Sequence, residues 1–152
     1  MKNYETIVRE TYSPLIKQYN LEFAAMDNDE FFLIGHGFAL WVTVDPRDEA
    51  KTWYVSIDKN GELKTYTMMY ISKERFTAED RALYGNPTSF DERVTAIFKI
   101  KCSGFMNHCQ DILSGDKTWL QGYQDDGDYS RHVTKFLAPY FRKQGYPVKI
   151  RE

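Results

Sequence analysis

The feature that most constrains this chain is a series of short, strand-like runs between residues 21 and 72. They read LEFAAM, EFFLIGHG, FALWVTVD, TWYVSID and ELKTYTMMYIS. β-Branched and aromatic side chains dominate them, as a pleated, half-buried surface requires. Turn residues separate them: Asp27-Asn28-Asp29, Gly35-His36-Gly37, Asp45-Pro46-Arg47-Asp48 and Lys59-Asn60-Gly61. Asn-Gly between two such runs is a strong hairpin signal, so Trp53–Ile57 and Leu63–Tyr70 are expected to pair antiparallel. Consecutive strands with tight turns and no helix between them make a meander. About four to five strands are expected, with one face packed on a core.

Helical spacing flanks the meander. Tyr4, Ile7, Val8, Tyr12, Leu15 and Tyr19 recur at three and four residues. Pro14 interrupts them and predicts a break near Tyr12–Ser13. After Ser72, FTAEDRALYG reads as a short helix capped by Thr77. Thr88 or Ser89 caps a longer one, with Glu92 as the reciprocal partner of Ser89. Apolar spacing then runs to Leu113, so a continuous helix is expected over Ser89–Leu113. Ser114-Gly115 stops it, and Asp116 caps a short helix through Trp119 and Tyr123. A last helix follows, bent by Pro139 and ended by Gly145, and YPVKIRE is read as an edge strand. The fold class is therefore α+β: an N-terminal helix, an antiparallel β-meander and C-terminal helices packed on one face.

A chain of 152 residues suits a single domain, 1–152. Its 16% aromatic content is far above that of disordered chains. A net charge of -2 argues against direct nucleic-acid binding, which favours basic domains. No apolar run approaches the roughly 20 residues of a membrane span. MKNYETIVRE lacks the apolar core of a signal peptide, so a cytoplasmic location is expected. Cys102 and Cys109 lie about 10 Å apart along a helix axis, too far for a disulfide. Both are expected as free, buried thiols.

Strong chemical motifs are absent. Asp128 and His132, four apart, have the spacing of two metal ligands and equally that of an ion pair. The run Asp125-Asp126-Gly127-Asp128 lacks the ligand order of a calcium loop. No metal and no cofactor are expected. His36 between two glycines has the look of an active site, but a hairpin turn accounts for both glycines. No G-x-S-x-G stretch or phosphate-binding glycine loop occurs. An enzyme is not expected.

What remains is surface character. Acids cluster at Asp27/Asp29/Glu30, at Asp45/Asp48/Glu49 and at Asp125/Asp126/Asp128. Trp119, Tyr123 and Tyr129 flank the third cluster. Aromatic anchors rimmed by acids suit a surface that grips a basic partner. Tyr123, Asp125, Asp126 and Asp128 are accordingly the candidate partner-binding residues. Asp128 is expected to serve a helix N-terminus as well. Asp125 and Asp126 are the surplus, with no evident folding role.

The same stretch carries a resemblance. DILSGDKTWLQGY, Asp111–Tyr123, resembles a corner seen in small bacterial immunity proteins of contact-dependent-inhibition and polymorphic toxin systems. In that corner a long helix ends at a Leu, a small residue and Gly-Asp, and a Trp-Leu helix and a Tyr follow. The order of helix, meander and helices is similar too. The resemblance implies a non-enzymatic, cytoplasmic protein whose partner is a cognate toxin domain, basic and nuclease-like in chemistry. Gly115, Asp116, Trp119 and Leu120 match the corner, where they imply turn geometry, capping and packing. The alternative is a small-molecule-binding domain or small enzyme, with a pocket lined by Trp41, Trp53, Tyr66 and Tyr70.

Overall fold

A computed structural model describes residues 2–47, 49–125 and 127–150, without the side chains of 127–130. Two short helices open the chain, α1 (Glu5–Thr11) and α2 (Ser13–Tyr19). They break at Tyr12, because Pro14 in the first turn of α2 cannot continue the α1 ladder. Five strands follow: β1 (Glu22–Ala25), β2 (Glu30–Gly35), β3 (Phe38–Asp45), β4 (Glu49–Ile57) and β5 (Leu63–Thr67). They form one antiparallel sheet in sequence order, the expected meander. Register is set by pairs such as Trp41↔Trp53 and Tyr54↔Tyr66. The class is α+β, as expected.

Both faces of the sheet are covered. Phe31, Leu33, Leu40, Val42 and Tyr54 meet the N-terminal helices and α5 (Phe90–His108) on one face. Phe32, Ile34, Trp41, Val55 and Ile57 meet α7 (Gly127–Lys143) on the other. A single covered face therefore describes only part of the packing, and α7 occupies the second. The cause lies in β2 and β3, which are apolar on consecutive residues rather than alternately.

Three expected elements differ. The β5 run ends at Thr67, and Met69–Arg75 forms helix α3. Pairing with β4 continues one residue further, Met68 N donating to Thr52 O, and beyond it Lys101 Nζ donates to Ala50 O, which a longer β5 would lie opposite. The long helix is broken at Cys109, between α5 and the four-residue α6 (Gln110–Leu113). There Arg75 Nη1 donates to His108 O at 3.2 Å, competing for a carbonyl of the ladder. Residues 146–150 form no strand. One bond, Lys149 N to Gly61 O at 2.8 Å, lays them over the β4–β5 turn.

Caps explain the remaining starts. Thr77 and Asp80 form a reciprocal capping box on α4 (Ala78–Ala82). Ser89 caps α5, but the Glu92 carboxylate accepts from Thr88 rather than from Ser89. Cys102 and Cys109 are buried and free.

Candidate partner-binding surface

The corner singled out in the sequence is a left-handed stop after α6 followed by a single 3-10 turn. Gly115 stands at φ +92°, the left-handed conformation that ends a helix, and Asp116 N donates back to Asp111 O at 3.0 Å. The Asp116 carboxylate accepts from Thr118 N and Thr118 Oγ1, each at 3.0 Å. That seeds one 3-10 turn, Thr118–Leu120, which stops before Tyr123. Trp119 stands edge-on to Tyr54 at 4.8 Å, and Tyr123 edge-on to Trp119 at 5.7 Å. Both rings are half-buried against the core. Arg75 braces the corner through two bonds to the Asp111 carboxylate, at 2.7 and 3.1 Å.

Asp125 is not surplus. Its Oδ1 accepts from Thr65 N at 2.7 Å. Thr65 lies on β5, an edge strand, and its outward N–H would otherwise be open to any passing strand. The carboxylate closes that site, a role the sequence could not show because the two residues are 60 positions apart. Asp126 and the side chain of Asp128 lie outside the described residues. Of the four candidate residues, then, Tyr123 and Asp125 are placed on one corner beside β5, each with structural work.

Of the second acidic cluster, Asp45 lies near the first, and Asp48 lies outside the described residues. In the β1–β2 turn, Asp29 N donates to Asp27 Oδ1 at 3.1 Å, which holds the two residues of the turn together. Asp27, Asp29 and Glu30 offer carboxylate oxygens within 4.8 Å of one another. They are the only such ligand group among the described residues. Val44 N donates to Asp29 O, which brings the end of β3 and the Asp45 charge alongside. The side-chain hydrogen bond with Asp27, then burial and the like charges of Asp27 and Asp45, push the Asp29 carboxyl up to about 6. Burial also raises Glu30, with Asp27 adding to it and His132 opposing. Burial acts against the Asp27 charge as well, yet hydrogen bonds at Asp29 and Glu30 outweigh it and hold Asp27 down.

His132 explains how α7 reaches this end. Its Nε2 lies 3.0 Å from Glu30 Oε1, and its ring packs 5.6 Å from Trp41. It faces Glu30, 102 positions away, whatever its local relation to Asp128. Beneath the acids is an aromatic bed: Trp41 against Trp53 at 4.6 Å, and Phe32 against Phe136 at 5.3 Å. Trp53 and Phe136 remain partly exposed. On the other sheet face the carboxylates are paired with cations, Glu49 with Arg93 at 3.2 Å and Asp91 with Lys2.

The alternative pocket does not assemble. Trp53 and Tyr54 are neighbours on one strand and must point to opposite faces. Trp41 and Trp53 pack toward α7, Tyr66 packs with Tyr54 toward α5, and Tyr70 stands 53% exposed on α3. A different groove, about 570 Å³, opens beside the Gly35-His36-Gly37 turn and Ser114. The Gln144 amide spans that turn, donating to Gly35 O and accepting from Gly37 N, both at 2.8 Å. Lys117 Nζ donates to Gly37 O and Ile57 O. His36 makes a ring contact with Tyr146. Its turn is a braced structural hairpin.

Comparison with protein-family models, with curated proteins and with solved structures finds no match.

Proposed function

We propose that this protein is a non-enzymatic immunity protein that binds and occludes a basic toxin domain, in the cytoplasm of a bacterium that must survive that toxin. The observation that carries the reading is the acid pole. Three carboxylates of the Asp27–Glu30 turn lie within 4.8 Å of one another, with the Asp45 charge nearby, and the hydrogen bond with Asp27, then burial and like charge, raise Asp29 to about 6. A cationic group arriving there would relieve like-charge repulsion, while the partly exposed Trp53 and Phe136 offer desolvated contact. The corner at Asp111–Tyr123 supports the same reading through its resemblance to immunity proteins. The Asp27–Glu30 turn is the preferred contact. Tyr123 and Asp125, with Asp126 and Asp128, stand as a second contact region.

The test is a charge reversal read against a basic nuclease toxin domain of a contact-dependent-inhibition system. Asp27→Lys with Asp29→Lys should abolish protection of cells expressing that domain. It should slow association by tenfold or more at low salt, since steering is electrostatic. The change removes repulsion but also the bond from Asp29 N to Asp27 Oδ1, so a thermal melt of the double variant accompanies the assay, and only a folded variant is scored. Full protection by a folded double variant would refute the assignment of this surface. A second reading, small-molecule binding, is favoured only by the groove beside Gly35.

A further inference from the structure

The two edges of the sheet, β1 and β5, are not alike. At β5 the outward N–H of Thr65 is closed by Asp125. At β1 the outward groups are open. Met26 N donates to Glu30 O at 2.9 Å, and the register carries the ladder on through Ala24↔Phe32 and Glu22↔Ile34. Hydrogen-bonded pairs alternate along an antiparallel ladder, so Glu22, Ala24 and Met26 face β2. Phe23 and Ala25 turn their N–H and C=O groups outward, and no hydrogen bond takes them up among the described residues. The strand reads EFAA, without the proline or lysine that guards many natural edges.

These open groups are symmetric about Ala24, and that symmetry points to their occupant. Place a second copy across a twofold axis at Ala24. Phe23 of each copy then lies opposite Ala25 of the other, and such a pair exchanges both of its N–H···O=C bonds. Every open group of β1 is satisfied at once. No neighbouring register does this. An axis at Phe23 sets Ala25 against Leu21, whose N–H already donates to Ile16 O, and an axis at Ala25 sets Phe23 against Asp27, whose N–H donates to Glu30 O. Ala24 meets its own equivalent at the close, non-hydrogen-bonded position, about 4.5 Å between Cα atoms, which a methyl side chain accommodates. The half-buried Phe23 gains the exposed Ala25 as its cross-strand neighbour. Glu22 lies opposite Met26, so no like charges are directly opposed. Arg9 stands 4.2 Å over the Phe23 ring and gives one N–H to Glu5, leaving the rest of its donors. Asp27 of the second copy lies two residues beyond Ala25, about 7 Å along the strand direction. Among the described residues no Lys or Arg pairs with Asp27. Each copy therefore brings an arginine toward an acid of the other. This match in register and charge favours a second copy over a foreign strand.

We infer that two copies of this chain pair through β1, antiparallel about Ala24, and join their sheets into one. The closed β5 edge stops the assembly at two copies. The seam is short, which places the dimer among weak, transient interfaces. The inference does not rest on the toxin reading.

The test follows the full chain by sedimentation velocity as concentration rises to the solubility limit, with amide hydrogen exchange measured at both extremes. A monomer–dimer equilibrium is expected, and the Phe23 and Ala25 amides should slow only where the dimer is populated. Ala25→Pro removes an N–H that β2 does not use, at a position where an edge strand tolerates proline, and should weaken dimerisation by tenfold or more. Ala25→Lys keeps the backbone whole, sets a cation against Arg9 of the other copy, and should weaken the dimer as well. A thermal melt accompanies both, and if Ala25→Pro does not fold, Ala25→Lys decides. A monomer at every concentration would overturn the pairing. So would a dimer whose Phe23 and Ala25 amides still exchange freely, a dimer that the folded variants leave intact, or assembly that runs on beyond two copies. Slowing of those amides only when a basic toxin domain is added would give the edge to a partner strand and overturn self-pairing.

Discussion

Gly104→Ala sets two effects of opposite sign against each other. In an exposed helix interior, Ala is favoured over Gly by about 1 kcal/mol. Gly104 lies in α5 but is buried, and a Cβ there would stand 2.4 Å from two ring carbons of Phe76. Carbon atoms rest at about 3.5–4.0 Å, so the ring must retreat by more than 1 Å. It has little room, being 8% exposed and edge-on to Phe105 at 5.5 Å. Overpacking of this kind costs about 1–3 kcal/mol. The upper half of that range outweighs the propensity gain, leaving a net loss of about 1–2 kcal/mol. For a chain of this size that lowers Tm by roughly 2–8 °C. The decisive comparison is a double-mutant cycle read by urea melts. In a Phe76→Ala background the space is open, and Gly104→Ala should become neutral or stabilising. If Gly104→Ala stabilises the wild type, or if its effect has the same sign in both backgrounds, the steric argument fails.

Three further outcomes follow from the structure. Asp125→Ala should cost about 1.5 kcal/mol in urea melts, the low end for a hydrogen bond to a charged group because the carboxylate is exposed; a change under about 0.3 kcal/mol would show that Thr65 N does not need it. Both thiols should be unreactive toward a disulfide reagent in the native protein and react in denaturant, since burial is the first cause pushing the Cys109 thiol up to about 11; rapid native labelling of either would contradict the packing. Burial holds the Lys101 amine down, to about 8, where its Nζ donates to Thr52 Oγ1. The unfolded lysine keeps its proton up to its ordinary value, so between about 8 and 10.5 the unfolded state binds more protons and stability should rise with pH; Lys101→Met should flatten that slope in chemical denaturation, and an unchanged slope would refute the placement of the amine.

Local signals made much of the fold legible. Pro14 marked the break at Tyr12, Thr77 and Ser89 marked helix starts, and Asn60-Gly61 marked the hairpin, each because a single residue restricts its own backbone. Longer predictions failed where a distant group competed for a backbone atom. The helix through Leu113 is interrupted where Arg75 takes the His108 carbonyl, and the strand through Tyr70 turns away where Lys101 takes the Ala50 carbonyl. The second covered face was written in the consecutive apolar residues of EFFLIG and FALWV, which alternation alone does not describe.

The sequence by itself determined the class: short β-branched runs with tight turns can only pair with their neighbours, and the helical stripes on either side must then cover the resulting sheet. It also placed acids in the turns, because charge is solvated there at little cost. Only the tertiary structure decided which of those acids matter together. Asp125 became the stopper of an edge strand, while Asp27, Asp29, Glu30 and Asp45 became one crowded pole with His132. Coulomb interactions and hydrogen bonds depend on distance through space, and residues 102 positions apart acquire such a distance only when the chain has packed.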